Sequence, residues 1–386
     1  MRIAFLANDI REPFKEYGKP APFFNPGVEA LLEGFAAFPE VEIHMVSCTQ
    51  QPVRSPEKIA ERVWYHNLHV PKIGWLRTGY QGCIRAVRRK LQELKPDIAH
   101  AYGTERDCAI SAIFSGVSNV VTIQGNMAET ARLFHARIGS FDWLTARLEN
   151  FTLKRTAGVI CNSLYTENLV LPRAKKTWVV YPALRPAFLE PVPEVEAPGA
   201  RPCVLLNVGV ISPRKRQLEL LDVAGALRRR GLKFEFHFIG RAGHSDYTKA
   251  FLERIKPMEA AGFAHYLGRV PSEGLVRIYD SAAAMIHFSS EEAFGLNVAE
   301  GLARNLKFFG SRLGGIAEIA EGVPGAELFV PDDWTGLTDA VARWIEQGHP
   351  RRMESAALMR QRYHPQMIAR RHVEIYREVL ETLPRR

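Results

Sequence analysis

Two trains of short apolar runs, each alternating with helix-like segments, flank one proline-rich stretch, and this pattern restricts the chain to a pair of α/β sheets. In the first train strands are expected at residues 2–7, 42–48, 97–102, 119–123, 158–162 and 178–181. Runs such as Ile3-Ala4-Phe5-Leu6 are apolar on both faces, as buried parallel strands require. Helical spacing falls between them, at 28–37, 83–94 and 141–155. Pro186, Pro191, Pro193, Pro198 and Pro202 with acidic spacers then interrupt the series as an extended linker. The alternation resumes at 203–209, 233–240, 265–267, 282–288, 307–310 and 328–330, and the chain turns mostly helical from Trp334.

The expected architecture is α/β: two Rossmann-like, doubly wound domains facing across a cleft, with ligands beyond the carboxyl ends of the strands. The expected boundaries are residues 1–185, a linker at 186–202, a second domain at 203–365 and a last helix at 366–386. That helix carries Ile368, Val373, Ile375, Tyr376 and Val379 on one face. A chain of 386 residues is too long for one core, which agrees with two domains.

Composition excludes several classes. The five cysteines (Cys48, Cys83, Cys108, Cys161 and Cys203) contain no Cys-x-x-Cys pair, and they read as reduced, buried small residues. An acid stands nine residues into the chain and no apolar run approaches the ~20 residues of a membrane span, so a cytoplasmic location is expected. Net charge is +9, with most of the excess in residues 1–185. A basic half suits an anionic membrane surface or a phosphorylated partner, and it equally suits a solvated basic surface; Arg85, Arg88, Arg89 and Lys90 are the densest cations. No element interleaves basic and aromatic residues, so no nucleic-acid partner is expected. A Gly-x-Gly-x-x-Gly after the first strand is missing, which removes the main support for a dehydrogenase.

The chemistry concentrates in two segments. The first is Glu291-Glu292-Ala293-Phe294-Gly295-Leu296 through Glu300, following the apolar run 282–288. Gly295 lets backbone approach a ligand, and a helix starting near Leu296 offers free N–H groups and a positive dipole end to a diphosphate. Glu292 and Glu300 suit the paired hydroxyls of a sugar or ribose. The plain alternative is that these acids favour the helix start and Glu300 is solvated. The second segment is Gly209-Val210-Ile211-Ser212-Pro213-Arg214-Lys215-Arg216, with Ser212 and Pro213 as cap and first residue of a helix. Three cations at a helix start oppose its dipole unless an anion sits there. A cationic helix start is not a packing element, so replacing Lys215 should leave melting little changed. None of the aspartates stands two residues from another, so no Asp-x-Asp metal motif is present and no metal site is expected.

On these motifs the chain resembles the retaining glycosyltransferases of family 4, which have the GT-B fold. Their Glu-x7-Glu signature matches Glu292 and Glu300, their Gly-x5-Lys matches Gly209 to Lys215, and their Gly-Gly-x-Glu loop resembles Pro26-Gly27-Val28-Glu29. Pro96 to His100 and Leu267-Gly268-Arg269-Val270 resemble two further family segments. The resemblance implies a nucleotide diphosphate sugar as donor substrate with no further cofactor. It also implies transfer with retention, without a metal, to a glycan, lipid-linked or small-molecule hydroxyl, and a last helix crossing back to the N-terminal domain. It assigns the donor hydroxyls to Glu292, the ribose to Glu300 and the diphosphate to Lys215 and Arg214. Gly27, Phe294, Gly295 and Leu296 would lie around the donor, and Val270 near the base. His100 is a further polar candidate, and with Gln124 and Asn126 it is expected on the acceptor side. Two departures stand out: Val210 replaces a frequent Arg, and Thr122-Ile123-Gln124-Gly125 replaces a frequent Thr-x-His-Gly. They motivate the alternative of a catalytically silent GT-B protein that binds a nucleotide sugar, glycan or protein partner.

Overall fold

The computed structural model describes residues 1–192, 202–351 and 353–382. They form two compact units, Met1–Arg185 with Pro365–Arg386, and Pro186–His364. Pro186–Leu189, inside the expected linker, is a short helix of the second unit, and residues 193–201 lie outside the described residues.

The first unit holds an eight-stranded sheet: β1 (Arg2–Leu6), β2 (Glu42–Thr49), β3 (Lys58–Ala60), β4 (Val63–His69), β5 (Ile98–Tyr102), β6 (Asn119–Ile123), β7 (Gly158–Cys161) and β8 (Thr177–Val179). Its order is β3-β4-β2-β1-β5-β6-β7-β8, and every described pairing is parallel except β3 with β4. The sequence reading missed β3 and β4. Residues of β1, β5, β6 and β7 are almost all buried, which explains their unbroken apolar runs.

The helix Pro26–Phe35 begins with proline at its first position and with Asn25 accepting from the Gly27 N–H at 2.9 Å. The last helix, Pro365–Glu381, buries Ile368, Ala369, His372, Val373, Ile375, Tyr376 and Val379, an i, i+4, i+7, i+8 stripe, against it. Each large apolar side chain buried there contributes on the order of 1.5–3 kcal/mol. The two helices come so close at Gly34 that a Cβ there would stand 2.2 Å from the Pro365 carbonyl oxygen.

The second unit holds six parallel strands: β9 (Val204–Val208), β10 (Glu235–Ile239), β11 (Ala264–Gly268), β12 (Ala284–His287), β13 (Lys307–Ser311) and β14 (Ala326–Phe329). Their order is β11-β10-β9-β12-β13-β14. The chain winds outward from β9 to one edge, then returns to start outward again at β12. The loops that follow β9 and β12 therefore flank the point where the strand order reverses, which is where a doubly wound sheet binds a ligand. All five cysteines are free and buried, and no helix among the described residues is long and apolar enough to cross a membrane.

Candidate functional site

At the switch point of the second sheet, the loop after β9 and the loop after β12 are clasped together. Asn207 on β9 donates to the Ile286 carbonyl at 2.9 Å, Asn297 donates to the Val208 carbonyl at 3.0 Å, and the Ser290 N–H donates to the Arg214 carbonyl at 2.9 Å. Gly240, at the end of β10, packs so tightly on this loop that a Cβ would stand 1.9 Å from the Gly209 carbonyl oxygen.

The loop after β9 differs from the expected helix start. Pro213–Lys215 is a single 3-10 turn, Arg216 adopts a left-handed conformation at φ 54°, and the long helix begins only at Gln217. Ser212 makes no side-chain cap bond; its N–H donates to the Gln217 side chain at 3.2 Å, while Gln217 donates to the Val210 carbonyl at 3.1 Å. The three cations thus stand just ahead of the helix, with Arg216 at its N-cap. They are met by carboxylates. Arg214 Nη1 donates to the Glu291 carbonyl at 3.0 Å and lies 3.6 Å from Glu292 Oε1, and Arg216 pairs with Asp332 at 2.5 Å.

Lys215 is buried and donates to Glu292 Oε2, with His287 Nε2 at 3.2 Å from its ammonium. His287 Nε2 is also 3.1 Å from Glu292 Oε2. Three groups from three points of the chain share one buried polar cluster. Burial pushes the Glu292 carboxyl up, but Lys215, the His287 hydrogen bond and Arg214 outweigh it and hold it well below the usual carboxylate range. Burial, with the Lys215 charge, lowers His287 to about 4, so the imidazole is neutral at ordinary pH. Burial and Arg214 lower Lys215, against the opposing attraction of Glu292. A lysine ammonium has three N–H donors; one goes to Glu292, and since His287 Nε2 either accepts from Lys215 or donates to Glu292, the tautomer decides whether a second goes to His287.

Gly295 stands at φ 103° and opens the helix Leu296–Ala303 with no side-chain cap. That uncapped first turn is the kind of helix start that can receive an anion. Behind it, Gly315 donates its N–H to the Glu292 carbonyl at 3.1 Å, and a Cβ on Gly315 would stand 2.4 Å from Phe294 Cα. Phe294 is buried, with its ring 5.5 Å from that of Tyr363. Glu300 lies inside the helix with no exposure, and Val270 follows β11 against Gly274, where a Cβ would meet its Cγ1 at 2.9 Å. The structure thus gathers Arg214, Lys215, Glu292, Phe294 and Gly295 at the switch point.

The remaining candidates lie in the first unit. Gly27 sits where a Cβ would meet the Tyr102 hydroxyl at 2.7 Å. Gln124 accepts from Asn25 at 3.1 Å, and Asn126 is buried, donating to Thr166 at 3.3 Å. His100 corrects the expectation of a strand-end residue open to substrate. It has no exposure, Nδ1 is 2.6 Å from the Tyr376 hydroxyl, Nε2 is 2.7 Å from Thr122 Oγ1, and its ring stacks on His372 at 5.5 Å. Both ring nitrogens are occupied, Nδ1 joining β5 to the last helix and Nε2 joining it to β6, so its geometry is that of a packing residue.

Sequence reading missed His287 and Gly315. His287 lay inside an apolar run, where a lone polar residue was the available signal, and Gly314-Gly315 marked a second close backbone approach.

Two doubly wound α/β units are the architecture of the GT-B fold. Residues 193–360 match the family profile of the glycosyl transferases group 1, and residues 27–188 match that of Glycosyltransferase Family 4. Each profile covers less than half of the chain, one falling in each unit. No curated protein matches it by sequence. Among solved structures it is similar to sucrose-phosphate synthase from Thermosynechococcus elongatus, with a TM-score of 0.76 and 16% identity over 99% of this chain and 100% of that one. It is also similar to HepE of Anabaena, crystallised with UDP and glucose, with a TM-score of 0.69 and 16% identity over 99% and 100%. A glycosyltransferase from Rickettsia africae gives a TM-score of 0.67 and 14% identity over 99% and 99%. Likeness at these identities speaks for the fold.

Proposed function

We propose that this glycosyltransferase moves a sugar from a nucleoside diphosphate donor to an acceptor hydroxyl, with retention of configuration and without a divalent metal. The observation that carries the reading is the buried Lys215–Glu292–His287 cluster at the switch point, beside Arg214 and the uncapped helix start after Gly295. Lys215 supplies a point charge and Arg214 a fork to the diphosphate, which gains charge as the C1–O bond breaks. Glu292, held ionised by the same cations, addresses the sugar hydroxyls, and Glu300 the ribose. As the bond to phosphate opens, the acceptor oxygen forms its bond to C1 on the same face. Its proton passes to the departing phosphate oxygen, so no side-chain base is required. HepE was crystallised with UDP-glucose, which makes uridine donors the first to try. A screen of nucleoside diphosphate sugars by thermal stabilisation, followed by release of the free nucleoside diphosphate, tests the reading. A donor that binds and never turns over would favour the silent GT-B alternative that Gln124 and Val210 motivate.

For the acceptor we propose a lipid-linked hydroxyl reached from an anionic membrane. Helix Gln81–Leu94 turns its apolar residues Cys83, Ile84, Val87 and Leu91 inward and offers charge without an apolar anchor. Residues 133–141 do offer one: Leu133, Phe134, Ile138 and Phe141 are exposed, Ile138 to 85%. Beside them Arg147, Lys154 and Arg155 line a groove with Trp143 and Phe151. Exposed apolar side chains next to cations suit the boundary between headgroups and acyl chains.

A further inference from the structure

The second sheet carries a cluster of ligating side chains at the end opposite the switch point. Along β10, Phe236 and Phe238 point into the core, the latter 5.4 Å from Phe251 of the helix Asp246–Ala260. Strand alternation then turns Glu235 and His237 to the other face. His265 on β11 is the register partner of His237, and in a parallel pair such partners point the same way across ~4.8 Å. The rings lie 5.5 Å apart at 77°, and His237 Nε2 is 2.9 Å from Glu235 Oε2. One donor atom from each of Glu235, His237 and His265 falls within 4.8 Å of the other two, and all three residues are half-buried.

We infer that Glu235, His237 and His265 form a binding site for a divalent transition metal ion. Metal–nitrogen and metal–oxygen bonds of about 2.0–2.2 Å put neighbouring ligand atoms roughly 3–3.5 Å apart in a tetrahedral set. Small side-chain rotations therefore bring these three into coordination while the strands stay paired. Two imidazoles and one carboxylate select zinc, cobalt, nickel or copper over magnesium or calcium, which prefer all-oxygen sets. The partial exposure leaves water to complete the shell. Because Glu235 is in register with Val204, where β9 begins, the ion sits at the amino ends of the strands. Lys215 and Glu292 follow the carboxyl ends. The ion would fasten the edge strand β11 to β10 and take no part in transfer. No sequence spacing announced the site, since the ligands come from neighbouring strands.

The test uses full-length protein freed of any affinity tag and stripped with EDTA, titrated with cobalt(II) by visible absorption and with zinc by calorimetry. One ion per chain is expected, with a rise in melting temperature. His265→Ala and His237→Gln should each weaken zinc binding at least tenfold, Glu235→Gln less, and His349→Ala not at all. Circular dichroism of the stripped variants verifies that they fold. Transfer by the wild type should be equal with and without the ion. Absence of stoichiometric binding, or binding that survives both histidine substitutions, would overturn the proposal. Loss of transfer on stripping, restored by zinc, would overturn the structural role assigned to the ion.

Discussion

Lys215 and Glu292, 77 residues apart, form a buried ion pair that joins the loop after β9 to the loop after β12 across the switch point. The pair makes the site part of the fold of the second unit. The expectation that Lys215 is dispensable for stability therefore changes, because removing it strands a buried carboxylate. Breaking one side of such a pair typically costs roughly 3–5 kcal/mol. Lys215→Ala should melt well below the wild type, whereas Lys215→Ala with Glu292→Gln should regain most of the loss and remain inactive. Denaturant unfolding of the wild type, both single variants and the double variant measures the coupling. Additive losses would show that the two side chains do not support each other.

The proposed donor roles divide between the two glutamates. Glu292→Gln should cut turnover while nucleoside diphosphate affinity stays nearly intact, because its proposed partner is the sugar. Glu300→Gln should weaken the nucleotide itself. Calorimetric titration showing affinity lost in the first and kept in the second would reverse these assignments.

Acid should destabilise the protein before its carboxylates titrate. His287 and His372 are buried and lowered to about 4 from an ordinary 6.5. The unfolded chain takes up protons that the folded one refuses between those values, so stability is full above about pH 6.5 and declines as pH falls toward 4. Unfolding free energies at pH 7, 6 and 5 should fall in that order, and His372→Gln should flatten the decline. A profile level from pH 7 to 5 would contradict the burial argument.

Membrane contact should depend on the exposed apolar residues of 133–141. Ile138→Glu with Phe141→Glu should abolish co-sedimentation with anionic vesicles while a water-soluble acceptor is still glycosylated. Each basic residue near such a surface contributes about 1 kcal/mol, so binding should also weaken with salt. Equal sedimentation of the variant and the wild type would rule this surface out.

The six strands of the second unit were each found to within a few residues. β9, β12 and β13 are largely buried apolar runs, whereas β10, β11 and β14 are only partly buried and were found from their place in the alternation. β4, Val63–His69, was missed because its Trp, His and Asn side chains are only half-buried near the sheet edge. In the site, Glu292, Gly295 and Lys215 were picked out by motif spacing and expected around one donor, but the direct Lys215–Glu292–His287 contact was not. The Ser212-Pro213 pair reads as a helix start, yet Arg216 turns left-handed and delays the helix to Gln217, aiming Lys215 inward. His100 was misread because its partner, Tyr376, stands 276 residues away.

The central claim is that Lys215 and Arg214 steady the departing diphosphate in place of a metal. Its most direct measurement is release of nucleoside diphosphate from a panel of donor sugars in excess EDTA, by the wild type and by Lys215→Ala, assayed at a temperature where circular dichroism shows the variant folded. Removing one preorganised stabilising group costs about 3–4 kcal/mol of barrier, a factor of a hundred or more in rate. The account requires at least one donor to turn over in EDTA, with a loss of that size in the variant. Release that stops in EDTA and returns with magnesium or manganese, or a variant as fast as the wild type, would contradict it.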